Sequence, residues 1–373
     1  MSFGVPTYPY ERLEPLRRAA AALEGGAVDL SVGDPCDPPS PAALEALAEA
    51  AQGANSYPSS VGVPAVREAA AQWMSERLGA RVGAGQVGLC IGTKEFVAGL
   101  PGWLRLMKPG KDTVLYPELA YPTYEMGARL AGLRPVGVPV DEHFRLRLGE
   151  VSADDAARAL LLWVNSPGNP AGQLEDLAAV TAWGQERGVL VASDECYAEL
   201  TWNGEPGTVL LHGAGPDCSG GVLAVHSLSK RSNLAGLRFG WYAGDAEVVT
   251  FIKKVRQHAG FMVPWPVQAA GAAALKDVAH ARAQRERYRE RLARLQGVLA
   301  MAGVEPPLPE GGIYLWAPAP GGDAWGLAEL LAEKAGLVVS PGELYGPAGE
   351  GYVRVAAVAP MERLELLAKR LGG

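Results

Sequence analysis

Ser227-Leu228-Ser229-Lys230, with Arg238 eight residues further on, sets an amine, two hydroxyls and a guanidinium just past the apolar run Gly221-Val222-Leu223-Ala224-Val225. Such a set suits an aldehyde cofactor that carries a phosphate. The amine can form a Schiff base, and the hydroxyls and the planar guanidinium can hold the phosphate. A lysine does this only if it is kept partly neutral, by desolvation or by a neighbouring cation such as Arg238. Taken alone, Lys230 reads as an ordinary solvated lysine in a serine-rich loop. The rest of the chain reverses that reading.

The run before Lys230 is short, β-branched and bounded by glycine, as a buried strand is. A second run, Gly188-Val189-Leu190-Val191-Ala192, ends in Ser193-Asp194-Glu195-Cys196-Tyr197. A third, Ala159-Leu160-Leu161-Leu162-Trp163-Val164, ends in Asn165-Ser166-Pro167-Gly168-Asn169-Pro170. Ligands of open α/β sheets bind outside the carboxyl ends of the strands, so Asn169, Asp194, Tyr197 and Lys230 can converge on one crevice. A pyridoxal phosphate site needs a lysine for the aldehyde and a carboxylate to keep the pyridine nitrogen protonated, since the protonated ring is the electron sink. Asp194 fits the second role. Tyr197 and Asn169 are of the right type to hydrogen-bond the phenolic oxygen. A phosphate cradle is readable separately: Val87-Gly88-Leu89-Cys90-Ile91 reads as a strand, Gly92-Thr93-Lys94 as a turn, and Glu95 onward as a helix whose N-terminal amides are free.

With these residues the chain resembles the fold-type I pyridoxal-phosphate aminotransferases of the class I/II group, over nearly its whole length. Asn-Ser-Pro-Gly-Asn-Pro at 165–170, Asp-Glu-Cys-Tyr at 194–197, Ser-Leu-Ser-Lys at 227–230 and Arg354 occur in that group's order and approximate spacing. The resemblance implies an α/β large domain, with a mostly parallel seven-stranded sheet between helices, plus a smaller α+β domain. It implies pyridoxal 5'-phosphate held by the amides of Thr93 and Lys94 and by Ser227, Ser229 and Arg238, with Tyr121 stacked on the ring. It assigns Lys230 as attachment point and base, and Asp194 and Tyr197 as its catalytic neighbours. Gly33, Asn169 and Arg354 would line the substrate site, Arg354 facing the α-carboxylate. From the residues alone, Arg354 in the alternating Tyr352-Val353-Arg354-Val355-Ala356 reads either as a carboxylate site or as a structural salt bridge. Tyr57 resembles the tyrosine that reaches the phosphate of a neighbouring subunit, which implies a homodimer with shared active sites. Tyr124 reads as a core or capping tyrosine.

Three further stretches resemble the actinobacterial-type N-succinyl-L,L-diaminopimelate aminotransferases of lysine biosynthesis: Ser229 to Gly236, His258 to Pro264 and Pro341 to Gly349. That implies exchange of an amino group between the succinylated diamino diacid and 2-oxoglutarate. Arg256 and His258 are candidates for the succinyl arm, and each also reads as structural. An aminotransferase for aspartate, aromatic or other amino acids, or a β-lyase of the same fold, shares Lys230, Asp194 and Arg354. A non-enzymatic regulator on this fold would carry an added DNA-binding module, and the pattern begins near the first residues.

Composition sets bounds. The chain has 373 residues, 48% of them apolar, and 34 basic against 41 acidic side chains give a net charge of −7. It is long enough for more than one packed unit, and its charge gives no reason to expect nucleic acid or an anionic membrane as partner. Cys36, Cys90, Cys196 and Cys218 form no close pair and read as reduced thiols. The histidines show no metal spacing. No signal sequence or membrane-spanning run is readable, so a cytoplasmic location is expected. Strand-like and helical patterns alternate from about residue 40 to 260, as in a mostly parallel sheet covered by helices. The expected division is a large domain at 36–263 and a discontinuous small one at 1–35 and 264–373. Between Arg282 and Arg294, Tyr288, Leu292, Leu295 and Leu299 form the apolar stripe of a helix, with the arginines on its solvated side.

Overall fold

The computed structural model describes Gly4 and residues 6–372. Its strands are β1 (Val28–Asp29), β2 (Val87–Ile91), β3 (Thr113–Pro117), β4 (Arg134–Val138), β5 (Ala159–Asn165), β6 (Leu190–Asp194), β7 (Val222–Ser227), β8 (Phe239–Gly244), β9 (Tyr314–Pro318), β10 (Leu337–Val338), β11 (Ser340–Pro341) and β12 (Tyr352–Ala356). Seven of them form the main sheet in the order β2-β8-β7-β6-β5-β3-β4. Strand β8 runs antiparallel to both neighbours, and the remaining pairs are parallel.

Strands β5, β6, β7 and β8 are buried along their whole length. Their uninterrupted apolar runs follow from cover on both faces. Alternate residues of β5 point to opposite sides. Leu162 and Val164 join a cluster with Val66 and Met74 of the helix Pro64–Leu78, whereas Leu161 and Trp163 join Phe96 and Leu100 of the helix Thr93–Met107. The sheet is thus a rigid slab whose strand ends are held at fixed heights.

A second core gathers around β9, β11 and β12, which form an antiparallel sheet, and the parallel pair β1 and β10. Leu13, Leu16 and Leu30 from the start of the chain pack there with Leu292, Leu295 and Leu299 of the helix Val278–Met301 and with Leu364 and Leu367 near the end. The expected boundary at 263/264 is offset from this packing. Val267, Ala270 and Ala274 of the helix Trp265–Lys276 belong to the main-sheet cluster, so the packing changes at the next helix, after Asp277. Within that long helix the apolar stripe is buried as expected, but Arg291 is not on the solvated side. It is 5% exposed and makes a bidentate pair with Asp37, at 2.6 and 2.7 Å. A charged residue is tolerated there because the fork satisfies both carboxylate oxygens. Among the described residues, no helix is long and apolar enough to cross a membrane.

Candidate active site

Strands β5, β6 and β7 are neighbours, and the register pairs Asn165 with Asp194 and Asp194 with Val225. Their polar ends therefore sit side by side. Asn165 shapes the turn that follows β5. Its Nδ2 donates to the carbonyls of Asp194 (2.7 Å) and Pro167 (3.1 Å), and its Oδ1 accepts from the Asn169 amide (2.7 Å). Asp194 is 7% exposed. Its carboxylate accepts from the Tyr124 hydroxyl at 3.0 Å and from the Cys196 amide at 3.3 Å. Among the described residues it has no lysine or arginine partner. Burial pushes its carboxyl above the usual carboxylate range, with the bonds to Cys196 and Tyr124 working the other way. Such a group calls for a cation from outside the protein.

Lys230 follows β7 on the one-turn helix Leu228–Arg231, and its Nζ donates to the carbonyl of Gly33. Its pKa is lowered from 10.5 to about 8, chiefly by burial, with Asp34 and Cys196 opposing and Arg354 and Arg238 adding to the lowering. Arg238, proposed from sequence as the neighbouring cation, thus contributes less than desolvation does. The sign gives a prediction. A lowered pKa makes the amine neutral at lower pH, so the rate at which cofactor-free protein is trapped by an aromatic aldehyde and borohydride should rise with pH and level off above about 8. A rate still climbing towards 10.5 would show an ordinary solvated lysine.

The helix Thr93–Met107 begins beside β7 and β8, with Gly92 as its N-cap at φ 71°. A side chain there would be strained, and an added Cβ would lie 2.3 Å from Nη2 of Arg238. Glycine is thus what lets the guanidinium lie against the helix N-terminus. Ser227 and Ser229 complete this end, their hydroxyls 2.8 Å apart. Free amides, two hydroxyls and an arginine make an anion cradle. The helix is braced from behind by Arg256, whose fork pairs with Glu95 at 3.0 and 2.6 Å while Glu95 also accepts from the Ile91 amide.

Arg354 of β12 enters the same cavity from the second core. It is 2% exposed, donates through Nη1 to Asn169 Oδ1 (2.7 Å) and through Nη2 to the Ser31 carbonyl (2.6 Å), and leaves Nε without a partner. The rings of Tyr314 and Tyr345 flank it at 4.1 and 4.7 Å. No carboxylate pairs with it among the described residues, which removes the structural salt bridge as its explanation. Tyr314 also meets Tyr197, the two hydroxyls 2.8 Å apart.

One cavity of about 680 Å³ is lined by Gly33, Thr93, Lys94, Tyr121, Asn169, Asp194, Tyr197, Ser227, Ser229, Lys230, Arg238 and Arg354. Tyr57 stands apart, 96% exposed and outside that lining. Arg256 and His258 also lie outside it, so neither reaches a substrate there. The sequence reading missed Tyr124, Asn165 and Tyr314 as site residues, along with Tyr8, Tyr10 and Arg17 from the start of the chain, all of which line the cavity. Tyr124 is buried, as a core residue would be, yet its hydroxyl is spent on Asp194. A pyridine ring with a phosphate fits this arrangement. The buried, cation-free carboxylate and the anion cradle lie at two parts of one cavity, and the lysine lines it too.

Comparison with known proteins agrees. Residues 26–371 match the family described as aminotransferase class I and II. The chain is 43% identical to the 4-dedimethylamino-4-oxo-anhydrotetracycline transaminase of Streptomyces rimosus, over 98% of this chain and 99% of that one. It is 36% identical to the LL-diaminopimelate aminotransferase of Desulforudis audaxviator, over 99% and 96% respectively. Among solved structures, a probable N-succinyldiaminopimelate aminotransferase from Thermus thermophilus superposes with a TM-score of 0.86 at 30% identity, covering 97% of this chain and 98% of that one.

Proposed function

Since the chain belongs to the class I and II aminotransferases, whose members use pyridoxal 5'-phosphate, we propose that it transfers an amino group between N-succinyl-L,L-diaminopimelate and 2-oxoglutarate. Arg354 carries the amino-acid part of this reading: a buried guanidinium with no acidic partner among the described residues, in the cavity that holds Lys230. Its fork matches a carboxylate and holds it in a fixed orientation. The diamino diacid rests on the three stretches named above, on the diaminopimelate names of two similar proteins, and on a cavity roomy enough for an extended substrate beside a cofactor.

When bound, pyridoxal 5'-phosphate supplies an electron sink for the substrate's α-carbon. In this proposal Thr93, Lys94, Ser227, Ser229 and Arg238 would hold its phosphate, Tyr121 would cover its ring, and Tyr197 and Asn169 would serve its phenolic oxygen. Asp194 would favour the protonated form of its ring nitrogen. Lys230 would bind the aldehyde, and once the substrate's amino group had displaced it, its freed amine would be the group placed to take and return the proton at the substrate's α-carbon. Arg354 fixes the α-carboxylate, so that the α-hydrogen faces that amine. Tyr57, exposed and remote from its own cavity, would act in that of a second copy within a homodimer.

The test is an absorbance-monitored half-reaction of the cofactor-loaded protein with glutamate, N-succinyl-L,L-diaminopimelate, free L,L-diaminopimelate, aspartate and aromatic amino acids. Fast spectral conversion by glutamate and the succinylated diamine supports the proposal. Conversion by other donors alone keeps the aminotransferase and rejects this substrate, and pyruvate release from a cysteine conjugate without an oxo acid would mark a β-lyase. The identity to the Streptomyces rimosus transaminase favours one other reading, amination of a bulky cyclic ketone, which the same assay run in reverse from the aminated enzyme addresses.

A further inference from the structure

Directly behind the cavity lies a second pair of ionisable groups. Glu195 follows Asp194 at the end of β6, and His226 precedes Ser227 in β7. The Glu195 amide donates to the Val225 carbonyl at 2.9 Å, which sets the two side chains across adjacent strand ends. They are 2% and 1% exposed. Oε2 of Glu195 stands 3.4 Å from Nε2 of His226, close but without the alignment of a formed hydrogen bond, and neither atom has any other hydrogen-bond partner. The other carboxyl oxygen accepts from the Val209 amide at 2.9 Å. The imidazole is boxed by Trp73 and Trp241, with ring centroids 5.1 and 5.2 Å away. Buried polar atoms are rarely left without partners, and such a cluster one residue from the site on both strands calls for a role.

A buried ion pair needs further hydrogen bonds to repay desolvation. Nδ1 of His226 has no partner in either protonation state, so an ion pair would bury two full charges with no hydrogen bond at that nitrogen to offset them. The neighbouring charges do not supply compensation, since Glu199 is already paired with Arg231 and Arg77, and Asp194 adds only more negative charge. We propose that Glu195 and His226 form a neutral pair sharing one proton, the carboxylic acid donating to the imidazole, and that this pair positions Asp194 and Ser227 by tying the end of β6 to that of β7. Burial agrees, pushing the Glu195 carboxyl up to about 8 and the His226 imidazole down to about 3. Because the pair is uncharged, Asp194 remains the one carboxylate at this place that a ring cation recruits. Glu195 is thereby a positioning residue whose value lies in being protonated.

Two measurements test this. In the cofactor-free full chain with ¹⁵N-labelled histidine, His226 should give neutral imidazole nitrogen shifts throughout the neutral pH range. An imidazolium at neutral pH overturns the proposal. In the cofactor-loaded enzyme, Glu195→Gln keeps a neutral donor and should hold kcat within about threefold, whereas Glu195→Ala and His226→Phe should lower kcat by about 10- to 100-fold with little change in KM, the cost of slight misplacement. The two disruptive variants should also move the pH midpoint of the cofactor's visible absorbance. A lowered Tm with unchanged kcat and midpoint would reduce the pair to packing and overturn the claim. If the alanine variant does not fold, Glu195→Gln decides, because a loss beyond tenfold there contradicts a neutral pair.

Discussion

Lys230→Ala should leave a protein that folds and accepts the cofactor but does not turn over. The loss should reach at least about 10³-fold, within the range that general acid–base catalysis alone supplies. The reason is geometric as well as chemical. Lys230 lines the cavity with its Nζ turned to the Gly33 carbonyl, and the other cavity-lining lysine, Lys94, turns its ammonium to the Tyr8 ring and hydroxyl. No second amine among the described residues is therefore ready to take the α-proton. The measurement is the single-turnover spectral change with glutamate, repeated with added small amines, which should restore part of the rate by entering the space that the side chain leaves. Normal turnover in the variant would remove Lys230 from the mechanism.

Asp194→Asn should lower kcat by about 10²- to 10³-fold, a cost typical of losing one electrostatic stabiliser in a dry site. Asparagine keeps the shape, and its Oδ1 can still accept from the Cys196 amide while its Nδ2 donates to the Tyr124 hydroxyl in place of accepting from it, so the negative charge is the main loss. Cofactor retention should suffer less than turnover, since Gly92, Ser227, Ser229 and Arg238 form a separate cradle. The cofactor-free protein should respond in the opposite sense. Burial raises the Asp194 carboxyl, so the folded state holds a proton that the unfolded chain gives up. Between the unfolded value near 3.8 and the raised one, the folded state binds more protons, and stability falls as pH rises. The asparagine variant has no such group. At neutral pH its cofactor-free Tm should be no lower than that of the parent. Equal kcat with full cofactor retention would contradict the role given to Asp194.

What could be read from the chain follows from how sheets bury strands. Runs such as Ala159 to Val164 are apolar because both faces are covered, so the first polar residues after them mark the rim, and Asn169, Asp194, Ser227 and Lys230 were legible for that reason. Gly92 was legible as part of a turn, but its close approach to Arg238 was not. Strand β8, Phe239-Gly-Trp-Tyr-Ala-Gly, escaped because two glycines and three aromatics give neither a β-branched run nor a clear alternation. Contacts made through backbone carbonyls, those of Ser31 and Gly33, have no side-chain signature at all. Tyr124 and Tyr314 look like core aromatics in one dimension, and only the fold shows where each hydroxyl points. Arg291 was misread because a helical repeat tells which face is polar on average and cannot tell which single arginine finds a buried acid.

The two carbonyls at Ser31 and Gly33 have a consequence for how the protein is made. Arg354 reaches back 323 residues to the first of them and Lys230 reaches back 197 residues to the second. Chains emerge from the ribosome N-terminus first, and domains fold as they appear. All seven strands of the sheet that carries Lys230 and Asp194 have left the tunnel once β8 has, and the helix Trp265–Lys276 that completes its core follows, while β12 is still unsynthesised. The Arg354 side of the cavity is then the last part to be built. A prematurely terminated chain would carry Lys230 and Asp194 and lack Arg354.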